Sequence, residues 1–103
     1  MAEETSMFDR AKEEIDLIER HIEMLKVTKE LQPIGIIRLS EALNIPKHKV
    51  RYSLRLLEKD GLIIATNEGA MVSERYDEFM ESLPDRFNGL IEHIESIRSE
   101  AKD

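Results

Sequence analysis

Apolar side chains recur at alternating spacings of three and four residues over the first third of the chain, which is the repeat of one helix face. Ser6 and Asp9 stand in the arrangement of an N-terminal cap just before this run, and Pro33 ends the pattern near Leu31. We therefore predict a helix over residues 5–31. Its apolar stripe follows a heptad repeat formed by Phe8, Ala11, Ile15, Ile18, Ile22 and Leu25.

Two shorter amphipathic segments follow this helix. The first covers Gly35–Leu43, and the second begins at Pro46 and runs to Asp60. Asn44 lies between them, and asparagine tolerates the left-handed backbone conformation that a tight turn needs. Proline suits the start of a helix, because the N–H groups of the first turn have no partner within the helix. The positions expected to face inward are Ile36, Leu39, Leu43, Val50, Leu54 and Leu57.

A β-hairpin is predicted next. Gly61 ends the preceding helix, as glycine often does at this position. Leu62–Ala65 is a short β-rich run, and Asn67-Glu68-Gly69 is a turn sequence. Ala70–Val72 can then return as the second strand.

The last part of the chain returns to helical spacing. Ser73 can cap a following helix, and Pro84 is expected to break or kink it, so we predict C-terminal helices over residues 74–103. A second heptad stripe consists of Leu83, Phe87, Leu90, Ile94, Ile97 and Ala101.

The predicted fold class is mainly α with a small β-hairpin. A chain of 103 residues has room for a single domain, here 1–103, in which a helix-turn-helix and hairpin module over 33–73 is flanked by long N- and C-terminal helices. No apolar run is long enough for a membrane span, and the acidic N-terminus is unlike a signal peptide. With no cysteine, neither disulfides nor thiolate metal sites are available, which agrees with a cytoplasmic location.

Charge is distributed unevenly along the chain. The net charge is −7, but residues 1–31 contribute −4, residues 32–67 contribute +3 and residues 68–103 contribute −6. The middle third is therefore a basic island between two acidic arms. Because affinity for nucleic acid comes mainly from clustered Lys and Arg, this distribution locates any such function in the middle third. The acidic helices are either solvated faces or contacts for a protein partner.

The middle third also carries a family resemblance. The stretch over residues 33–63 resembles the winged helix-turn-helix transcriptional regulators of bacteria and archaea, and its opening is most like archaeal members; it reads PIGIIRLSEALNIPKHKVRYSLRLLEKDGLI. The resemblance implies a winged helix-turn-helix fold in which Lys47–Asp60 is the recognition helix, placed in the major groove of double-stranded DNA. On this basis the expected DNA-binding residues are Arg38, Lys47, His48, Lys49, Arg51, Tyr52 and Arg55.

These residue types suit recognition of DNA, because Arg and Lys donate to guanine O6 and N7 or neutralise phosphates. The alternative is that they form only the solvated face of an amphipathic helix. Three features depart from the family pattern. The tip of the wing carries Glu68 and no cation, so we do not expect it to enter a minor groove. Leu56 occupies a position that is usually polar, which suggests a covering helix or partner, and the acidic arms lie outside the resemblance.

Other chemistry finds no support in the sequence. His21, His48 and His93 are widely separated and form no metal-binding pair, so no metal site is expected. The glycines are isolated and form no phosphate-binding loop, and no serine lies in a nucleophile elbow. We therefore expect a protein that is not an enzyme and needs no cofactor.

Two functions remain open at this stage. The first is a homodimeric DNA-binding transcriptional regulator, with the heptad stripes of both outer helices pairing across chains. In this reading the dimer contacts are Phe8, Ala11, Ile15, Ile18, Ile22, Leu25, Phe87, Leu90, Ile94 and Ile97. In the alternative for the stripes, each packs on the module of its own chain. The second function is a winged-helix adaptor for protein–protein interaction that does not bind DNA.

Overall fold

Four helices and one two-stranded antiparallel hairpin make up residues 6–101, the part of the chain that the computed structural model describes. The mainly helical fold with a small hairpin is as predicted. The first residue of the predicted N-terminal helix (5) and the last two of the predicted C-terminal helices (102 and 103) lie outside the described range. The elements in chain order are α1 (Met7–Leu31), α2 (Ile36–Leu43), α3 (Lys47–Lys59), β1 (Ile63–Thr66), β2 (Gly69–Val72) and α4 (Tyr76–Ala101).

The start of α1 confirms the predicted cap. The backbone N–H of Asp9 donates to Ser6 Oγ at 3.1 Å, and the N–H of Ser6 donates back to Asp9 Oδ2 at 3.4 Å. This reciprocal capping box satisfies N–H groups that the helix itself leaves unpaired, and such caps typically contribute about 1 kcal/mol. It holds the first turn of a helix arm whose beginning is exposed.

The turn between α2 and α3 forms around Asn44. Its backbone is left-handed (φ 56°, ψ 47°), as predicted, and its N–H donates to the carbonyl of Ser40. The Ser40 hydroxyl in turn donates to the carbonyl of Ile45. Pro46 caps α3, where its carbonyl accepts from Lys49 and Val50 at 3.1 and 3.2 Å. These bonds set the angle between the two short helices.

Gly61 ends α3 in the left-handed conformation, with φ 79°. Its N–H donates to the carbonyl of Glu58 at 3.0 Å, and that of Leu62 donates to the carbonyl of Leu57 at 2.9 Å. This pair of bonds is a Schellman motif, completed by the burial of Leu57 and Leu62. The Ser73 hydroxyl donates to the carbonyl of Gly61 at 2.6 Å, which ties the segment before α4 to the end of α3.

The hairpin is joined to the segment before α2. β1 and β2 pair from Ile63–Val72 to Thr66–Gly69, one residue later than predicted for β1. Ile34 forms an isolated antiparallel bridge to Ala70, with N–O distances of 3.1 and 2.7 Å. A Cβ at Gly69 would lie only 2.7 Å from the carbonyl carbon of Ile34, so this close approach requires glycine.

The hydrophobic core draws on every element except α4. It is formed by Met24, Leu25, Ile34, Leu39, Val50, Leu57, Leu62, Ile63 and Ala70, and residues of α4 such as Phe79 only cover its edge. The assignment of Leu25 to a dimer contact is therefore wrong, because Leu25 is 0% exposed within its own chain. The heptad pattern continues past the point where α1 meets α2 and α3. The last part of the α1 stripe thus packs against its own chain, as the alternative interpretation predicts.

The C-terminal segment is one helix; of the two outcomes predicted at Pro84, a break or a kink, the break is wrong. α4 runs through Pro84 without interruption from Tyr76 to Ala101. A proline inside a helix removes one backbone hydrogen bond, yet α4 has helical residues on both sides of it. From Pro84 onward every residue of α4 is exposed, so this half of the helix extends from the body of the protein.

The described molecule is elongated. Its radius of gyration is 16.5 Å and its extents are 56 × 37 × 20 Å. A compact domain of this length would have a radius of gyration of about 13 Å. The difference comes from the two helix arms, defined here as residues 7–18 of α1 and residues 87–101 of α4.

Candidate nucleic-acid interface

The helix α3 buries one side and exposes the other. Val50, Ser53 and Leu57 are buried, at spacings of three and four residues. His48, Tyr52 and Arg55 repeat at the same spacings and are exposed, with Tyr52 at 44%. They therefore stand at the centre of the exposed face, while Lys49 and Arg51 lie about 160° apart on its two flanks, since each residue turns the helix by about 100°.

All seven residues predicted to bind DNA are exposed, but the structure brings only some of them together. A cleft of about 410 Å³ lies between α1 and α3, and we call it the basic cleft; its walls are Arg20, His48, Lys49, Tyr52 and Arg55. Lys47, Arg51 and Arg38 do not line it. Arg38 lies on α2, in its first turn, and Lys47 and Arg51 lie on the other flank of α3.

Arg20 was not predicted to belong to this surface. Its Nε–H donates to Ser53 Oγ at 3.0 Å, and Ser53 is 0% exposed in the side of α3 that faces α1. In the sequence Arg20 stands among the acidic residues of α1, 33 positions before Ser53, and no local pattern connects the two. Only the packing of α1 on α3 brings them together.

The cations of the basic cleft have no carboxylate partners within the described range. Among residues 6–101, no carboxylate lies within ion-pair distance of Arg20, Lys49 or Arg55. Asp16, which stands four residues before Arg20, is paired with Lys12 instead, at 3.0 Å. These cations are therefore not tied up in ion pairs within this range.

His21, next to Arg20, faces the core instead of the basic cleft. Burial lowers the pKa of its imidazole, the charge of Arg20 lowers it further, and Asp60 and Glu14 act in the opposite direction. Its Nδ1 is buried and has no hydrogen-bond partner among the described residues. The ring lies beside a small apolar cavity between α1, α3 and α4 that includes Leu25, Leu57 and Phe79.

The tip of the hairpin is closed by Thr66. Its hydroxyl donates to the carbonyl of Gly69 at 2.7 Å and accepts from the N–H of Glu68 at 3.2 Å. Asn67 and Glu68 project at the exposed tip. This tip presents a carboxylate and no cation, so it does not extend the positive surface of α3.

The helix arms present apolar side chains to solvent. On α1, Phe8 is 79% exposed, Ile15 52% and Ile18 36%; Ala11 is also exposed, and Ile22 is half-buried. The arm of α4 exposes Phe87, Leu90, Ile91, Ile94 and Ile97 by between 37% and 56%. Ile91 was not among the predicted contacts. A second cleft joins the bases of the arms, where Ile15, Ile18 and Ile22 meet Phe87.

Neither a metal-holding cluster nor a membrane-spanning helix is found among residues 6–101. Among residues 6–101, no group of three or more His, Asp or Glu side chains is placed to hold a metal ion. Within the same range, no helix combines the length and the apolar character needed to cross a membrane. Comparison with known proteins adds no assignment, since no protein-family model matches the chain and no curated protein is significantly similar to it.

Proposed function

We propose that this protein is a homodimeric, sequence-specific DNA-binding transcriptional regulator of the winged helix-turn-helix type. The observation that carries the proposal is the exposed face of α3, which is basic in a chain of net charge −7 and is free of local carboxylate partners among residues 6–101. α2, the left-handed turn at Asn44 and the capped start of α3 hold this face outward from a packed core.

The residues of the exposed face divide into those proposed to contact bases and those proposed to contact the phosphate backbone. In this proposal His48 and Tyr52, at its centre, enter the major groove, Arg51 contacts bases on one flank, and Lys49 lies on the other flank, at the basic cleft. Arg38, Lys47 and Arg55 neutralise phosphates, because they lie toward the edges where the duplex backbone would pass. The hairpin corresponds to a wing that makes no favourable DNA contact, since Glu68 at its tip would face phosphate.

Dimerisation would cover the apolar arms. Burying one large aliphatic or aromatic side chain contributes about 1.5–3 kcal/mol, and each chain exposes Phe8, Ile15, Leu90, Ile94 and Ile97 along its arms. Their heptad spacing is typical of helices that pair with other helices. A second copy of the chain is therefore the proposed occupant of both arms, and it would present two α3 helices to successive major grooves.

The test of this function is a titration against duplex DNA at several salt concentrations. Counterion release predicts that the logarithm of the association constant falls with the logarithm of the salt concentration, with a slope of about −0.9 for each phosphate neutralised. A mixed-sequence duplex and a selected operator, obtained by enrichment from a random pool, distinguish general from specific binding. No appreciable binding to either duplex at low salt would contradict the proposal.

The second candidate is a winged-helix adaptor that binds protein and not DNA. It is favoured by the carboxylate at the hairpin tip and by the net negative charge of residues 1–31 (−4) and 68–103 (−6), because negative charge repels a duplex. In this case the acidic helices would contact the protein partner. The same titration separates the two candidates, because an adaptor would show no salt-dependent affinity for DNA.

A further inference from the structure

The basic cleft between α1 and α3 has the properties of a preorganised anion-binding site. We propose that it binds one phosphodiester group of the duplex backbone, and that Arg20, which lies outside the helix-turn-helix, is its central donor. This inference rests on the proposed function, because the phosphate belongs to the DNA that α3 would read. It adds a contact from the N-terminal helix to that site.

Arg20 is held in place before any ligand binds. Its Nε–H is already used by the hydroxyl of Ser53, at 3.0 Å, while its side chain lines the basic cleft. A guanidinium has five N–H donors, so four remain on its two terminal nitrogens for the oxygens of a phosphate. Fixing a long side chain in advance reduces the entropy that binding would otherwise cost. The buried serine thus orients an arginine that a purely solvated face would leave free.

The charge around the cleft favours an anion. Arg20, Lys49 and Arg55 approach one space, and none has a carboxylate at ion-pair distance among residues 6–101. An anion in this space would therefore meet three cations, none of which is already held in an ion pair with a described residue. Tyr52 also lines this cleft, and its side chain carries a neutral hydroxyl donor.

The position of the cleft favours a phosphodiester of DNA as that anion. His48, Tyr52 and Arg55 belong both to the cleft and to the centre of the exposed face of α3. A duplex that receives this face in its major groove has its backbone at the edge of the groove, beside α1. Arg20 would then fix the depth and angle of α3, as phosphate contacts do, without reading a base.

The experiment compares salt dependence among variants on the selected operator and on mixed-sequence duplex. Arg20→Ala should lower the steepness of the salt slope by about 0.9 and weaken binding about eightfold near 0.1 M salt, equally on both duplexes. Arg20→Lys, which keeps the charge, should retain most of the slope. Lys26→Ala is the matched control: it removes one exposed positive charge from the same helix, at the other cleft, and should leave the slope unchanged.

Ser53→Ala tests the orienting role of the serine. It should weaken DNA binding severalfold in the wild-type background and have no effect when Arg20 is already alanine, which a merely structural role for Ser53 would not produce. Equal slopes for wild type and Arg20→Ala would overturn the inference while leaving the proposed function standing. Absence of wild-type DNA binding would overturn both.

Inorganic phosphate distinguishes a backbone phosphate from a free one. In the absence of DNA, the Arg20 Nε resonance is followed by NMR while phosphate is added. Saturation by phosphate together with an unchanged DNA salt slope in Arg20→Ala would assign the cleft to a small anion and overturn the duplex as occupant. Weak, unsaturated shifts with phosphate and loss of slope with DNA support the inference.

Discussion

At the residue scale, the turn after α3 depends on Gly61. Its φ of 79° lies where a Cβ is penalised, and an added Cβ would come within 2.9 Å of Arg75 Nη1, which itself donates to the carbonyl of Asp60 at 3.0 Å. The conformational penalty and the loss of this contact act in the same direction. The sequence predicted the helix end correctly because glycine has few other reasons to follow an amphipathic helix directly.

We expect Gly61→Ala to lower the free energy of unfolding by about 1 kcal/mol. Gly89→Ala is the matched control: the same methyl is added inside α4, where nothing lies within 4 Å, and should stabilise the helix by about 0.5–1 kcal/mol. Chemical denaturation of both variants measures the difference. Equal effects at the two positions would show that the end of α3 is not strained.

His21 makes stability depend on pH. Its pKa in the folded protein is lowered below the ordinary 6.5, mainly by burial, so the unfolded chain binds the proton more readily. The stability that the neutral ring contributes is complete above pH 6.5 and is lost as the pH falls below that value. We expect His21→Gln to flatten the fall in melting temperature below pH 6.5, and His93→Gln, at an exposed position of α4, to leave it unchanged. Identical pH profiles for wild type and His21→Gln would exclude this residue as the cause.

Single substitutions can distinguish residues that contact bases from residues that contact the phosphate backbone. Arg51 lies on a flank of α3, whereas Arg38 lies on α2. Arg51→Ala should cost about 1–3 kcal/mol on the operator and relax preference at one base pair. Arg38→Ala should weaken every sequence alike and reduce the salt slope by about one. Competition assays on operator variants measure both effects. An unchanged base preference in Arg51→Ala would show that Arg51 contacts the phosphate backbone and not a base.

At the element scale, the periodicity of apolar residues predicted where helices form better than it predicted what packs against each helix. Phe8 and Leu25 occupy the same stripe of α1, yet Phe8 is 79% exposed and Leu25 is 0% exposed. A heptad repeat defines which face is apolar, but what covers that face depends on how α1 packs on α2 and α3. Arg20 was missed for the same reason, because its partner Ser53 is brought to it only by tertiary packing. Pro84 shows that a local helix-breaking signal is outweighed by the helical sequence around it.

The hairpin offers a test at this scale. If its tip comes near the duplex, the carboxylate of Glu68 repels phosphate, so Glu68→Lys should strengthen binding to all sequences equally by exchanging repulsion for attraction. Glu92→Lys, at an exposed position on the arm of α4, makes the same change of charge away from α3 and serves as the control. Equal gains in both variants would mean that only the net charge matters and that the hairpin does not approach DNA.

At the scale of the whole molecule, charge and shape are divided between two parts. The packed core carries the basic face, whereas the acidic arms extend beyond it and account for the large radius of gyration of 16.5 Å. Residues 7–18 and 87–101 each carry a net charge of −2, so the arms account for −4 of the chain's net charge of −7. This separation also leaves the apolar stripes of the arms free to pair, which links the elongated shape to the proposed dimer.

The dimer is tested by placing a charge on an arm. Ile94 is 56% exposed in the single chain, so Ile94→Asp should leave the fold of the monomer intact but bury a carboxylate at the proposed interface. We expect light scattering to show the mass of one chain for this variant and of two for wild type. Ile37→Asp, at a residue of α2 that is 59% exposed and lies off the arms, should remain dimeric.

Because two linked α3 helices bind half-sites one turn apart, the monomeric variant should also lose affinity for a palindromic operator much more than for a single half-site. A wild-type chain that is monomeric at high micromolar concentration, or an Ile94→Asp variant that remains dimeric, would contradict pairing through the arms.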